Sequence, residues 1–140
     1  MRIGQMTILL LAGIAIGAVL TPRVSGERAE RRVFEIRTYT THDGRLDALH
    51  ARFRDHTMRV FEKHGMTNVA YWTPDDPASA GRTLVYVLAH RSREAAKRSW
   101  EAFRSDPEWQ QVKAASESDG PIVVRVESVF GEATDYSPLR

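Results

Sequence analysis

With 140 residues, the chain has room for a single domain. It contains no cysteine, which excludes disulfides, thiolate nucleophiles, iron–sulfur clusters and cysteine-based zinc sites. The 20 Lys and Arg only just exceed the 18 Asp and Glu, and Arg2 and Arg23 account for that surplus. Everything after residue 26 is formally neutral and lacks the basic excess of a nucleic-acid binder.

Residues 1–26 read as a secretory signal. Arg2 gives a positive start, residues 8–20 form an uncharged apolar run, and Thr21-Pro22-Arg23-Val24-Ser25-Gly26 closes it with a turn former and small residues. The run is shorter than the about 20 apolar residues that span a bilayer. Cleavage after Gly26, with Val24 and Gly26 as the small pair, gives a periplasmic or secreted protein. The exit is not A-x-A, so an uncleaved N-terminal anchor is the alternative, and only that alternative implies membrane attachment. Residues 27–32 (ERAERR) mix signs and read as a solvated linker. The domain occupies 33–140.

Residues 33–40 (VFEIRTYT) alternate with β-branched and aromatic residues, which predicts a strand. His42-Asp43-Gly44 is a turn, with Asp43 as a candidate helix N-cap. Leu46, Leu49, Phe53, Val60 and Phe61 then recur at helical spacing, predicting a long amphipathic helix over 45–64. Lys63 and His64 suit its C-terminus, and Gly65 its left-handed stop. Residues 66–73 predict a second strand, 74–81 a loop by composition, and 82–90 (RTLVYVLAH) a third strand. The third strand is apolar on both faces and therefore central. The short loop makes these two strands an antiparallel hairpin.

Ser92 caps a second helix whose buried face is Ala95, Ala96, Ser99, Trp100 and Phe103. Asp106-Pro107 restarts the chain as N-cap and N1 of a short third helix carrying Trp109 and Val112. Gly120-Pro121 breaks it, and residues 122–130 (IVVRVESVF) predict a fourth strand. The order β-α-β-β-α-β, with one small extra helix, is the ferredoxin-like α+β pattern with an antiparallel sheet. Helices on one face of that sheet leave the other to be covered, and dimerisation through the sheets is the common solution.

Alternation puts Phe34 and Ile36, with Ile122, Val124 and Val126, on the helix side. It collects Glu35, Arg37, Tyr39, Arg125 and Glu127 on the open side, where charges on neighbouring strands can pair. This group reads either as an ion-pair ladder or as a polar pocket enclosed by a dimer. In the pocket reading Arg37 binds an anionic or carbonyl oxygen, Tyr39 donates a hydrogen bond and Glu35 acts as a base. Tyr71, Trp72 and His56 are candidate pocket or interface residues beside it, although aromatics at such positions more often belong to the core. His50, His56 and His64 share one helix at spacings of six and eight residues, neither of which is the i, i+4 pair of a helical zinc site. His42 and His90 sit at element ends and point to nothing specific. No glycine-rich phosphate loop, G-x-S-x-G or acidic metal cluster appears, so no cofactor and no metal are expected.

FEIRTYTTHDGRLDALHARF, FEKHGMTNVAYW, SREAAKRSWEAFRSDPEWQQV and the tail YSPL together resemble the NIPSNAP family. The likeness covers 33–139 and is carried by E-x-R-x-Y, by K-H-G followed by Y-W, and by D-P-E-W in that order. Ala70 stands where the family carries glycine. The resemblance implies a ferredoxin-like domain of the dimeric α/β-barrel type, two sheets closing across a two-fold axis. Family members resemble cofactor-free monooxygenases of the antibiotic-biosynthesis type in fold, which does not carry function. Animal relatives are linked to mitochondria and vesicular roles, a setting that an export signal does not match. The resemblance maps no catalytic residue set onto this chain.

Two functions fit these features. The first is a homodimeric binding or scaffold module outside the cytoplasm, with a small molecule as its candidate ligand. The alternative is a cofactor-free small-molecule enzyme, monooxygenase- or isomerase-like, using a polar pocket in the dimeric barrel.

Overall fold

The computed structural model describes residues 32–139. The signal or anchor at 1–26, linker residues 27–31 and Arg140 lie outside the described residues. The elements run β1 (Val33–Thr41), α1 (Leu46–Arg52), a π-helical turn (Phe53–Thr57), α2 (Met58–Lys63), β2 (Thr67–Trp72), β3 (Thr83–His90), α3 (Arg93–Ser105), α4 (Pro107–Ser116) and β4 (Val123–Glu132). The four strands form one antiparallel sheet in the order β2-β3-β1-β4. This is the ferredoxin-like α+β architecture. The apolar third strand is central, and β1 and β4 are neighbours.

Local chemistry explains most boundaries. Gly65 stops α2 at a φ of 77°, which an L side chain rarely adopts. The Ser92 hydroxyl accepts from the Ala95 amide to start α3, and the Asp106 carboxylate accepts from the Glu108 amide to start α4, with Pro107 in its first turn. Asp43, by contrast, caps nothing. Its side chain is 96 % exposed, and Arg45 occupies the N-cap of α1 without a side-chain bond.

The predicted long helix contains a widened turn. The Met58 amide donates to Phe53 O, five residues back, and the Thr57 hydroxyl donates to Arg52 O. One extra residue is thereby held inside the helix. Leu49, Val60 and Phe61, from both sides of this turn, are fully buried. Each such side chain contributes about 1.5–3 kcal/mol of burial. They pack with Tyr86 and Leu88 of β3 and with Trp100 and Phe103 of α3. Trp109 pins α4 onto this core, its ring centroid 4.5 Å from that of Phe103.

The two faces of β1 are reversed from the alternation reading. Glu35 is 1 % exposed and lies under the helices, whereas Ile36 is 46 % exposed on the open side. The pairing extends this across the sheet: Glu35, Arg37 and Tyr39 stand opposite Leu88, Tyr86 and Leu84, which are all buried. The apolar character of Phe34 and Ile36 belongs to a face that no helix covers, and the charges beside them find partners on β3, α3 and β4. On β4 the assignment of Arg125 and Glu127 to the open side holds, since they stand opposite Thr40 and Thr38. A bulge at the start of β4 makes Val123 the partner of Thr41 and leaves Val124 unpaired and 55 % exposed, with Ile122 in the core.

Candidate functional site

Three helix-side features come from the reversal of β1 and from the widened turn. The first is a buried carboxylate. Glu35 Oε1 accepts from Arg37 Nη1 at 2.6 Å and from Ser128 Oγ at 2.7 Å. Its Oε2 accepts from Trp100 Nε1 at 2.7 Å and lies 2.9 Å from His90 Nε2. Burial on its own raises the pKa of this acid, but the bonds from His90, Ser128, Trp100 and Arg37 outweigh it and hold it at about 2. Burial likewise opposes the Arg37 charge. The nearby Tyr39 and Tyr86 together with Glu35 overcome this and keep the guanidinium firmly protonated, and it also stacks 4.1 Å from the centre of the Trp100 ring. Both oxygens of Glu35 are occupied and its proton is gone. The group fixes four neighbours in place and is not set up to take a proton.

The second feature is an aromatic cluster. Tyr71 and Tyr86 stack at 5.3 Å with planes 10° apart, and Tyr39 and Phe53 meet Tyr86 edge-on. Burial keeps the Tyr71 and Tyr86 phenols protonated well above neutral pH. Tyr71 donates to Asn68 Oδ1 at 2.5 Å. The Tyr86 hydroxyl is buried without a bond of ordinary geometry, although Tyr39 lies close enough to influence its titration.

The third feature is a cleft of about 360 Å³ between the widened turn and the β2–β3 hairpin. Phe53 and Met58 form its helix wall, and Tyr71, Trp72 and Leu84 its sheet wall, while His50 and Arg54 bring basic groups to it. Apolar walls with a few polar groups are the usual make-up of a small-molecule site. Phe53 and Arg54 open the π turn, and such turns recur at functional sites.

The residues singled out from sequence are therefore divided. Glu35, Arg37 and Tyr39 lie together under the helices. Tyr71 and Trp72 line the cleft. His56 is exposed and borders a different groove, between the turn and α4, so the helix-one histidine at the cleft is His50. Arg125 and Glu127 pair with each other at 3.3 Å on the exposed edge strand. His64 lies 2.6 Å from Asp106, whose carboxyl is held below its ordinary range by hydrogen bonds from Lys63 and then His64. His90, the buried partner of Glu35, had only its place at a strand end as a signal. Among the described residues, no group of three or more His, Asp and Glu is placed to hold a metal ion.

The NIPSNAP family model matches residues 34–138. The chain belongs to the NIPSNAP family. Solved NIPSNAP structures share its fold. One, a NIPSNAP family protein of unknown function from Agrobacterium tumefaciens, is 20 % identical, with 80 % of this chain and 96 % of that one covered and a TM-score of 0.68. Another, an uncharacterized NIPSNAP-like domain protein from Burkholderia xenovorans, is 16 % identical over 78 % of this chain and 90 % of its own, with a TM-score of 0.67. More distant is a monooxygenase of Streptomyces coelicolor solved with nanaomycin D. It is 14 % identical, 77 % and 92 % of the two chains are covered, and the TM-score is 0.55. At these identities the likeness shows the fold alone. No curated protein matches the chain in sequence.

Proposed function

We propose that this NIPSNAP domain is an exported, homodimeric binding module whose cleft beside the π turn takes a small, largely apolar molecule. The observation that carries this reading is the cleft itself: aromatic and aliphatic walls on rigid strands, with His50 and Arg54 supplying polar ends. The neighbouring Glu35 network favours binding over turnover, because every acceptor of its carboxylate is already engaged. Dimerisation through the sheets is supported by the open face, where Ile36 and Val129 are 46 % and 64 % exposed. The apolar run at 8–20 and its small-residue exit support export.

Native mass spectrometry of the protein recovered from its exporting cell tests all three parts. A dimer lacking residues 1–26 and carrying a small molecule is expected. Met58→Trp, which fills the cleft from its helix wall, should abolish the retained mass and leave the dimer. Retention of the same molecule by this variant would remove the cleft from the reading.

The second reading, a cofactor-free oxygenase or isomerase, is favoured by one observation: His50 and the protonated Tyr71 both line the cleft, on a fold shared with a monooxygenase. Conversion of the recovered molecule, with oxygen uptake that Tyr71→Phe abolishes, would establish it. An unchanged ligand after prolonged aerobic incubation supports the binding module.

A further inference from the structure

A second cleft, of about 640 Å³, runs along the first half of α3 and reaches the end of β3. Arg32, Arg91 and Arg98 line it together with Glu62; the Arg32 guanidinium lies 5.7 Å from the centre of the Phe34 ring, and Glu94, one turn before Arg98 on α3, interacts with the Arg98 charge. Glu62 accepts from Asn68 Nδ2 at 3.0 Å, so part of its charge is already directed at a neighbour. Ala95 and Ser99 complete the α3 wall, so the cleft follows the N-terminal turns of a 13-residue helix, where the backbone dipole favours negative charge.

At this cleft sits His90, 2 % exposed. Its Nε2 faces the ionised Glu35 carboxylate at 2.9 Å and so carries the proton of that bond. Its Nδ1 is buried and has no partner. A buried nitrogen left unpaired costs about 1–3 kcal/mol. In an imidazole ring the two nitrogens point away from each other. With Nε2 directed at Glu35 beneath the helices, Nδ1 is directed away from that hub.

We infer that this cleft binds a small oxyanion, a carboxylate or phosphate group on a metabolite, held by Arg91 and Arg98 and completed at His90 Nδ1. The oxyanion accepts from the two guanidinium groups; a proton taken up from solvent with the ligand converts the Nδ1 lone pair into an N–H, and a shift of the surrounding side chains brings the oxyanion to it. His90 then donates from both nitrogens, to Glu35 on one side and to the ligand on the other. The buried carboxylate thus acts as the positioning group of an anion site, a role separate from the apolar cleft by the π turn.

The test follows the ring nitrogens of His90 by NMR in the whole ¹⁵N-histidine-labelled protein, titrated with inorganic phosphate and, separately, with succinate. Saturable movement of the His90 nitrogens is expected with at least one probe. Phosphate alone would mark a phosphate-ester site, and succinate alone a carboxylate site. Arg98→Ala should weaken the effective probe about tenfold, the worth of one charge-assisted bond. Arg104→Ala, exposed at the far end of the same helix, is the control and should leave the titration unchanged. His90 nitrogens unmoved by both probes would overturn the inference, as would equal behaviour of the Arg98 and Arg104 variants, which would reduce the effect to ionic strength.

Discussion

Across the thickness of one sheet the chain maintains two unlike surfaces. Beneath the helices it buries a carboxylate, a guanidinium, a histidine and three tyrosines, almost all of them bonded or stacked to one another. On the other side it leaves Phe34, Ile36, Val85, Val87 and Val129 together, with Ile36 and Val129 open to solvent. The polar surface is the enclosed one. A buried ion pair fixes a unique arrangement of the elements around it at the cost of desolvation. An apolar face without a cover gains its burial only from a second molecule. Hydrophobicity along β1 therefore does not mark the face that the helices of the same chain cover.

The largest test of this contrast strikes the enclosed side. Glu35→Ala leaves Arg37 and His90 without their counter-charge and should cost about 3–5 kcal/mol in chemical denaturation. Acid provides the same test without mutation. The Glu35 pKa is lowered to about 2 from 4.5, so its stabilisation is fully present above pH 4.5 and is lost as pH falls toward 2. About 3 kcal/mol of stability should disappear across that window. In Glu35→Gln this part of the pH profile should become shallower by the Glu35 share, leaving the slope from Asp106, and an unchanged acid slope would show that the Glu35 carboxylate is not a group titrating there.

The open side responds differently. In the proposed sheet-to-sheet dimer, Ile36→Asp places a charge on the exposed face and should cost about 2 kcal/mol of association while leaving the monomer folded. Sedimentation together with circular dichroism reads both, and a dimer of undiminished strength would move the interface elsewhere. The smallest effect belongs to Ser128→Ala, which removes one of the four donors to Glu35 from an exposed strand where water can replace it. About 1 kcal/mol is expected from a melting curve.

How much of this was legible in the sequence follows from the range of each cause. Gly65, Ser92 and Asp106-Pro107 act within a few residues, and the structure has each where local chemistry puts it. The strand order followed from the element order and from the apolar third strand. The facing of β1 was not legible, because it is decided by Trp100, His90 and Ser128, which lie 65, 55 and 93 residues away from Glu35 in the chain. For the same reason the E-x-R-x-Y motif could be seen but its enclosure by the helices could not. The widened turn left no trace, because Leu46, Leu49, Phe53 and Val60 keep across it a spacing that an unbroken α-helix also gives. His90 had no motif at all, and its interest comes entirely from a carboxylate on another strand.

The π turn also bears on how this helix tolerates length change. Deleting one residue from a regular helix rotates everything beyond it by about 100° and takes the buried side chains off their face. A deletion between Phe53 and Thr57 would instead let the backbone close into ordinary α-helix, with Leu49 on one side and Val60 and Phe61 on the other still directed at the core. The segment is thus the place in the helix where a shortened chain keeps its architecture. What such a deletion would redraw is the cleft wall that carries Phe53 and Arg54.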